Sequence, residues 1–241
     1  MNPLETYIDY SSTVSIIMII VVAIELLITV LLAIYTIKKK RDIEYSAAAL
    51  FLIVGIISSL ASIFTFIGEP TDIICIIRPY VIVIAFGLTF FSLFVEYLII
   101  NDRDCSTTAV YLVIIFIANL VLVTVWAIKG GIKSNVWEYD DEVYYYYSCK
   151  NTIKIGDTFQ NILIVLNGLT LFYGFFYCIK HDSEFSWSIY VVFFSMVALM
   201  VIVNIKSLST NTLFITQSLI IILLMDFIMI RQAVQIDDDA F

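Results

Sequence analysis

Histidine and proline are almost missing from this sequence, and charge of either sign is thin. Its 241 residues include 1 His, 3 Pro and 8 Gly, and 14% of them are charged, where soluble domains average about a quarter. Each scarcity excludes something. The single His181 falls in a turn between apolar blocks, so no intramembrane Ser–His pair can be built. No His, Cys and Asp stand at metal-ligand spacing, so the sequence calls for no metal and no cofactor. The basic residues do not gather into a patch interleaved with aromatics, which argues against nucleic acid as a partner. No Lys lies between Thr212 and Arg231, so the last apolar block has no site for a retinal Schiff base. The carboxylates within apolar blocks, Glu25, Glu96 and Asp226, fall at different depths, which leaves no facing pair for aspartyl proteolysis. No catalytic residue is expected, and the chain reads as a non-enzyme.

What is present is hydrocarbon. Hydrophobic residues make up 61% of the chain, and the mean hydropathy is +1.00. They come in runs near the ~20 residues that span a ~30 Å hydrocarbon layer at ~1.5 Å per residue. The runs are Ser15–Ile37, Ser46–Ile67, Ile73–Ile100, Thr107–Ile128, Phe159–Ile179, Trp187–Ile205 and Thr212–Ile230. Their Ile, Val and Phe would favour strands in water. In lipid, backbone groups must satisfy each other within the segment, so long unbroken runs mean helices. A barrel would need ~10-residue alternating segments, and the runs do not alternate. The predicted fold class is therefore an all-α membrane protein, a seven-transmembrane helix bundle with the lipid bilayer as its solvent.

Charge then orients the bundle. Lys38-Lys39-Lys40-Arg41 follows the first run directly and nothing basic precedes that run. Basic residues stay on the cytoplasmic side, so the N-terminus is expected outside. The first run is too long for a signal-peptide core and lacks a small-residue cleavage site, so it reads as an uncleaved signal anchor. The expected organisation is a short extracellular segment over residues 1–14, a transmembrane domain over 15–230 with an outer loop at 129–157, and a cytoplasmic tail over 231–241. The net charge of −8 resides mostly in loops and tail. The multi-pass chain is expected in the plasma membrane.

This topology sorts the cysteines. Cys75 and Cys149 face an oxidising compartment, whereas Cys105 and Cys178 sit at cytoplasmic ends. The first two are available for a bridge. The alternative for any lone membrane cysteine is a small buried hydrophobe. The outer loop centre, Trp137 to Cys149, mixes β-favouring aromatics with acids, and suits a hairpin over the bundle mouth. It reads either as a lid or cation-attracting rim, or as an interfacial aromatic belt with solvated charges.

The third run reads Cys75-x-x-Arg78-x-Tyr80, then Phe86, Phe90, Phe94 and Glu96. The fifth reads Asn167-Gly168-Leu169-x-Leu171-x-x-Gly174-x-Phe176. Both resemble the corresponding spans of class C (family 3) G-protein-coupled receptors, the metabotropic glutamate and GABA-B group. The resemblance implies a Cys75–Cys149 bridge, a heterotrimeric G protein at the cytoplasmic face, and possible homo- or heterodimers. It also implies a transmembrane signalling protein whose ligand is unknown, and which lacks, or is truncated from, the family's ligand-binding ectodomain. The alternative is a small polytopic transporter of unknown substrate, which would call for internal repeats and Gly- or Pro-broken helices at the midplane. No repeat is evident, and Pro3, Pro70 and Pro79 all avoid the span centres.

Several positions depart from the family pattern. A family Lys near the inner end of the third span is Glu96 here, and Arg231 is the nearest counterpart of a Pro-Lys element in the seventh. Glu96 lies 21 residues past Cys75, about 31 Å along a helix, so it is expected at the inner edge, solvated, and repelled by an acid such as Glu184. On that reading Glu96→Lys leaves folding intact. Arg78 is expected to snorkel to the outer interface. Ionisable groups within spans usually pair or serve function. Glu25 and Asp226, placed at different depths, are not expected to meet; a protonated Glu25 would instead bond Ser, Thr or Asn on a neighbour.

Overall fold

The computed structural model describes residues 12–38, 43–68, 71–100, 106–138, 145–181, 186–203 and 210–238. Among them run seven α-helices: α1 (Thr13–Lys38), α2 (Ile43–Phe64), α3 (Asp72–Ile100), α4 (Ser106–Lys129), α5 (Lys154–Lys180), α6 (Ser186–Val203) and α7 (Thr210–Asp238). One antiparallel hairpin, β1 (Ile132–Glu138) and β2 (Tyr145–Asn151), separates α4 from α5. Each apolar run is helical over nearly all of its described residues despite its β-branched side chains, because intrahelical hydrogen bonds are what lipid requires.

Helix ends depart from the hydropathy blocks. The α5 helix starts at Lys154, ahead of the predicted Phe159, and α7 continues to Asp238, well past Ile230. Hydropathy marks where lipid ends, not where backbone hydrogen bonding ends. Stretches long and apolar enough to cross a membrane occur in α1, α3, α4, α5 and α7. In α2 and α6 the apolar stretch is shorter, Ala48–Phe64 and Trp187–Leu199.

Consecutive helices pack side by side, α7 closes against α1, and α3 also reaches α6. This makes α3 the axis of the bundle. Its Phe90, Leu93, Phe94, Tyr97 and Leu98 are buried, while Ile20, Ile24, Leu27 and Leu31 of α1 face outward. Small polar residues point inward, among them Ser59, Ser62, Thr89 and Asn119. Bundles in lipid gain little from burying apolar surface, so they depend on close backbone approach and interhelical bonds. The contact of α2 with α3 shows this directly. A Cβ on Gly55 would lie 2.6 Å from both the backbone nitrogen and the hydroxyl of Thr89.

The hairpin is pinned at three places. Cys149, opposite Ser134 in the register, is disulfide-bonded to Cys75 of α3 with Cα atoms 5.3 Å apart. The Ser134 backbone N–H donates to the Asp72 carboxylate at 2.7 Å. The Trp126 indole donates to the Asn151 side-chain oxygen at 2.7 Å, and the Asn151 amide donates to Asp157 at 2.8 Å. The hairpin thus joins α3, α4 and α5 at one end of the bundle. Asp140, Asp141 and Glu142, on which the lid and rim readings rest, lie outside the described residues, as do Cys105 and Glu184.

Candidate functional site

The site is built on α3. Phe86, Phe90, Phe94 and Tyr97 recur at helical spacing and therefore share one face. Their rings form a column, with successive centroids 5.7, 6.2 and 6.1 Å apart and planes within 7° of parallel. Tyr173 and Tyr177 of α5 meet Phe94 edge-on at 6.1 and 5.4 Å, the geometry that ring quadrupoles favour.

Gly174 of α5 lies against this column because a Cβ there would come 2.6 Å from the Phe90 ring. The two segments singled out by sequence, in α3 and α5, therefore meet at Phe90 and Gly174. Gly174→Ala should force Phe90 aside at a cost of about 1–3 kcal/mol, the usual penalty for overpacking. The thermal unfolding midpoint of the purified protein checks this, and an unchanged midpoint would show that the ring yields freely. In the same helix, Asn167 exchanges amide hydrogen bonds with Asn119 of α4 at 3.1 and 3.2 Å.

Near the hairpin end, Arg78 does not run out along the helix surface toward a headgroup. Its Nη2 donates to the Thr65 carbonyl, past the end of α2, and its guanidinium lies over the Phe66 ring at 4.3 Å. The cation satisfies the terminal carbonyl that α2 leaves without an intrahelical partner.

The end of α3 remote from the hairpin overturns one reading. Glu96 is not solvated: its side chain is fully buried, and Arg231 of α7, 6% exposed, places Nη1 3.3 Å from Glu96 Oε2. Rise per residue fixes depth along α3 but not the face, and the face holding Glu96 turns into the bundle toward the one cation α7 offers there. Beside it, the Tyr97 hydroxyl donates to the His181 carbonyl after α5 at 2.7 Å. The ends of α3, α5 and α7 remote from the hairpin are thus linked by an ion pair and a hydrogen bond.

A second reading is also corrected. The Glu25 carboxyl is hydrogen-bonded to that of Asp226. Block edges suggested different depths, but packing register decides. The Thr29 hydroxyl of α1 donates to the Met229 sulfur at 3.1 Å, and one turn back along both helices that register brings residue 25 beside 226. Two carboxyls can share a hydrogen bond when one supplies the O–H.

The chemistry assembled here is polar linkage between helices, with α7 joined to α1 by the carboxyl–carboxyl hydrogen bond at Asp226 and to α3 by the ion pair at Arg231. Sequence reasoning singled out Glu25, Asp226 and Glu96, and named Arg231 as a family counterpart, without joining any two of them. Tyr97, Asn119 and the His181 carbonyl were not singled out at all. One signal was available: Glu96 is the last acid of its span, and Arg231 the first cation after another span that begins on the same side.

A family model described as "7 transmembrane sweet-taste receptor of 3 GCPR" matches residues 8–230. No curated protein matches the chain.

Proposed function

The chain belongs to the class C (family 3) seven-transmembrane receptor family, and from that premise we propose that it is a receptor-type signal-transducing domain that crosses the bilayer seven times. The observation that carries this reading is the extent of the family match, which runs from before α1 to the Ile230 turn of α7. In support, the two family-like segments in α3 and α5 are in contact at Phe90 and Gly174.

The N-terminus lies outside, as the Lys38–Arg41 run argues, in the plasma membrane. Residues 1–14 form the short outer segment, 15–230 the transmembrane domain with its 129–157 outer loop, and 231–241 the cytoplasmic portion, into which α7 continues as helix. The hairpin end is then extracellular, and the Glu96–Arg231 pair cytoplasmic. Signalling is a shift between two bundle arrangements that an outer ligand or partner and an inner effector favour unequally. The effector is a heterotrimeric G protein, and a second receptor chain is a further partner.

Epitope tags at both termini test the topology. The N-terminal tag should stain in intact cells and the C-terminal tag only after permeabilisation. A C-terminal tag exposed on intact cells would remove the seven-span, N-out arrangement. A panel of Gα subunits assayed for output above mock-transfected cells tests the coupling, and silence across the panel counts against the G-protein partner.

A further inference from the structure

We propose that the junction of α4, the hairpin and α5 is a lysine-lined seat for one anionic phospholipid, whose headgroup phosphate is held by Lys129, Lys133 and Lys154. The chain closes on itself there at small residues. The Ile153 N–H donates to the Gly130 carbonyl at 3.3 Å and the Thr152 N–H to that of Gly131 at 3.1 Å, and a Cβ on Gly130 would stand 2.9 Å from the Gly156 Cα. This approach sets Lys129, the last residue of α4, near Lys154, the first of α5. Lys133 follows on β1, opposite Lys150 of β2 in the register.

The charges here call for an anion. Lys129, Lys133 and Lys154 are exposed, and among the described residues none of the three forms an ion pair or a side-chain hydrogen bond. The nearby acids are engaged with the hairpin: Asp157 accepts from the Asn151 amide and Asp72 from the Ser134 N–H. Like charges directly opposite each other weaken a strand pair, so Lys133 facing Lys150 is a cost that a bound anion offsets.

Depth and neighbours identify that anion as a lipid. Lys129 ends the apolar stretch Thr107–Lys129 and Lys154 begins the stretch Lys154–Lys180, so both stand where hydrocarbon gives way to headgroups. Ile128, Ile153 and Ile155, adjoining these lysines in sequence, are exposed. A soluble anion has no use for them, whereas a phospholipid meets the lysines with its phosphate and the isoleucines with its acyl chains. Lysine suits the place, since its stem lies along apolar surface while its ammonium reaches the interface. A net negative headgroup binds better than a zwitterionic one, because a choline would set another cation among the lysines. The inference needs only that α4 and α5 cross a bilayer, and it stands apart from the receptor reading.

Photo-crosslinking tests this on the full chain in phosphatidylcholine nanodiscs. A trace of phosphatidylglycerol carrying a photoactivatable group near the headgroup end of one acyl chain is added, and labelled peptides are read by mass spectrometry. The α4–β1 and β2–α5 peptides should label more heavily than with the matching phosphatidylcholine probe. A lysine at an anionic surface gains roughly fivefold in affinity, so Lys129→Gln, Lys133→Gln and Lys154→Gln together should lower this labelling about tenfold or more. Labelling beside Lys38–Arg41 in the same sample should not change, and the three Lys→Arg substitutions should preserve the signal. Folding is read by the thermal midpoint, which should rise with phosphatidylglycerol content in wild type, as a ligand of the folded state requires, and stay level in the triple Gln variant. Equal labelling by the two probes overturns the seat, as does a triple Gln variant that labels like wild type. Loss of the labelling on adding soluble glycerol phosphate overturns the lipid and assigns the lysines to a soluble anion.

Discussion

Replacing Cys75 or Cys149 by Ser should produce the largest loss of stability available from a single conservative change in this protein. The bridge joins residues 74 apart in sequence. Closing a loop of that length in the unfolded chain is worth about 4.5 kcal/mol in the chain-entropy account, within the ~2–5 kcal/mol that native disulfides usually contribute. The bridge also holds the Asp72–Ser134 hydrogen bond in place, so its loss frees the hairpin from α3. The check is the thermal midpoint of wild type, each single variant and the double variant, with and without reductant. The three variants should coincide with one another and with reduced wild type. A midpoint unmoved by either substitution would mean that the hairpin is held by its hydrogen bonds alone.

Glu96→Lys should abolish recovery of folded protein, the reverse of what depth along α3 suggests. With Glu96 fully buried and Arg231 only 6% exposed, the substitution sets two cations face to face out of water. Removing one partner of a buried pair costs about 3–5 kcal/mol, and here repulsion between two cations adds to that cost. Against a total stability of ~5–15 kcal/mol, little folded material should remain. Size-exclusion profiles of a fluorescently tagged protein make the comparison. The exchanged pair Glu96→Lys with Arg231→Glu should recover the monodisperse peak; if Glu96→Lys alone gives that peak at full height, the burial of the pair does not matter for folding.

The helices were legible in the sequence because hydrocarbon thickness and backbone satisfaction leave an apolar run of that length one solution. The hairpin was legible too, since β-favouring aromatics, Trp137 on one side and Tyr145, Tyr146 and Tyr147 on the other, flank a cluster of acids. Contacts between helices were not. Hydropathy carries depth but not azimuth, so Glu96 was set at the right end of α3 and given the wrong surroundings. Glu25 and Asp226 were separated because run edges stood in for depth, whereas the Thr29–Met229 contact sets the true register. Arg78 was set at the correct end, but the free carbonyl of Thr65 that it meets depends on where α2 stops. The Asn119–Asn167 amide pair joins α4 to α5 across 48 residues, and neither Asn carries a mark of its partner.

The way the hairpin is fastened also sets a timetable for biosynthesis. Chains are made at about 5–20 residues per second, so the 74 residues between Cys75 and Cys149 mean a wait of about 4–15 s between the appearance of the two thiols. During that interval the rest of α3, all of α4, the first strand and the start of the second are made, and Cys75 waits without its partner. Only when the second strand has emerged can the correct partner arrive. Oxidation then ties the helices already made to the hairpin just completed, and a correctly paired Cys75 marks a molecule in which α3 and the hairpin have come together.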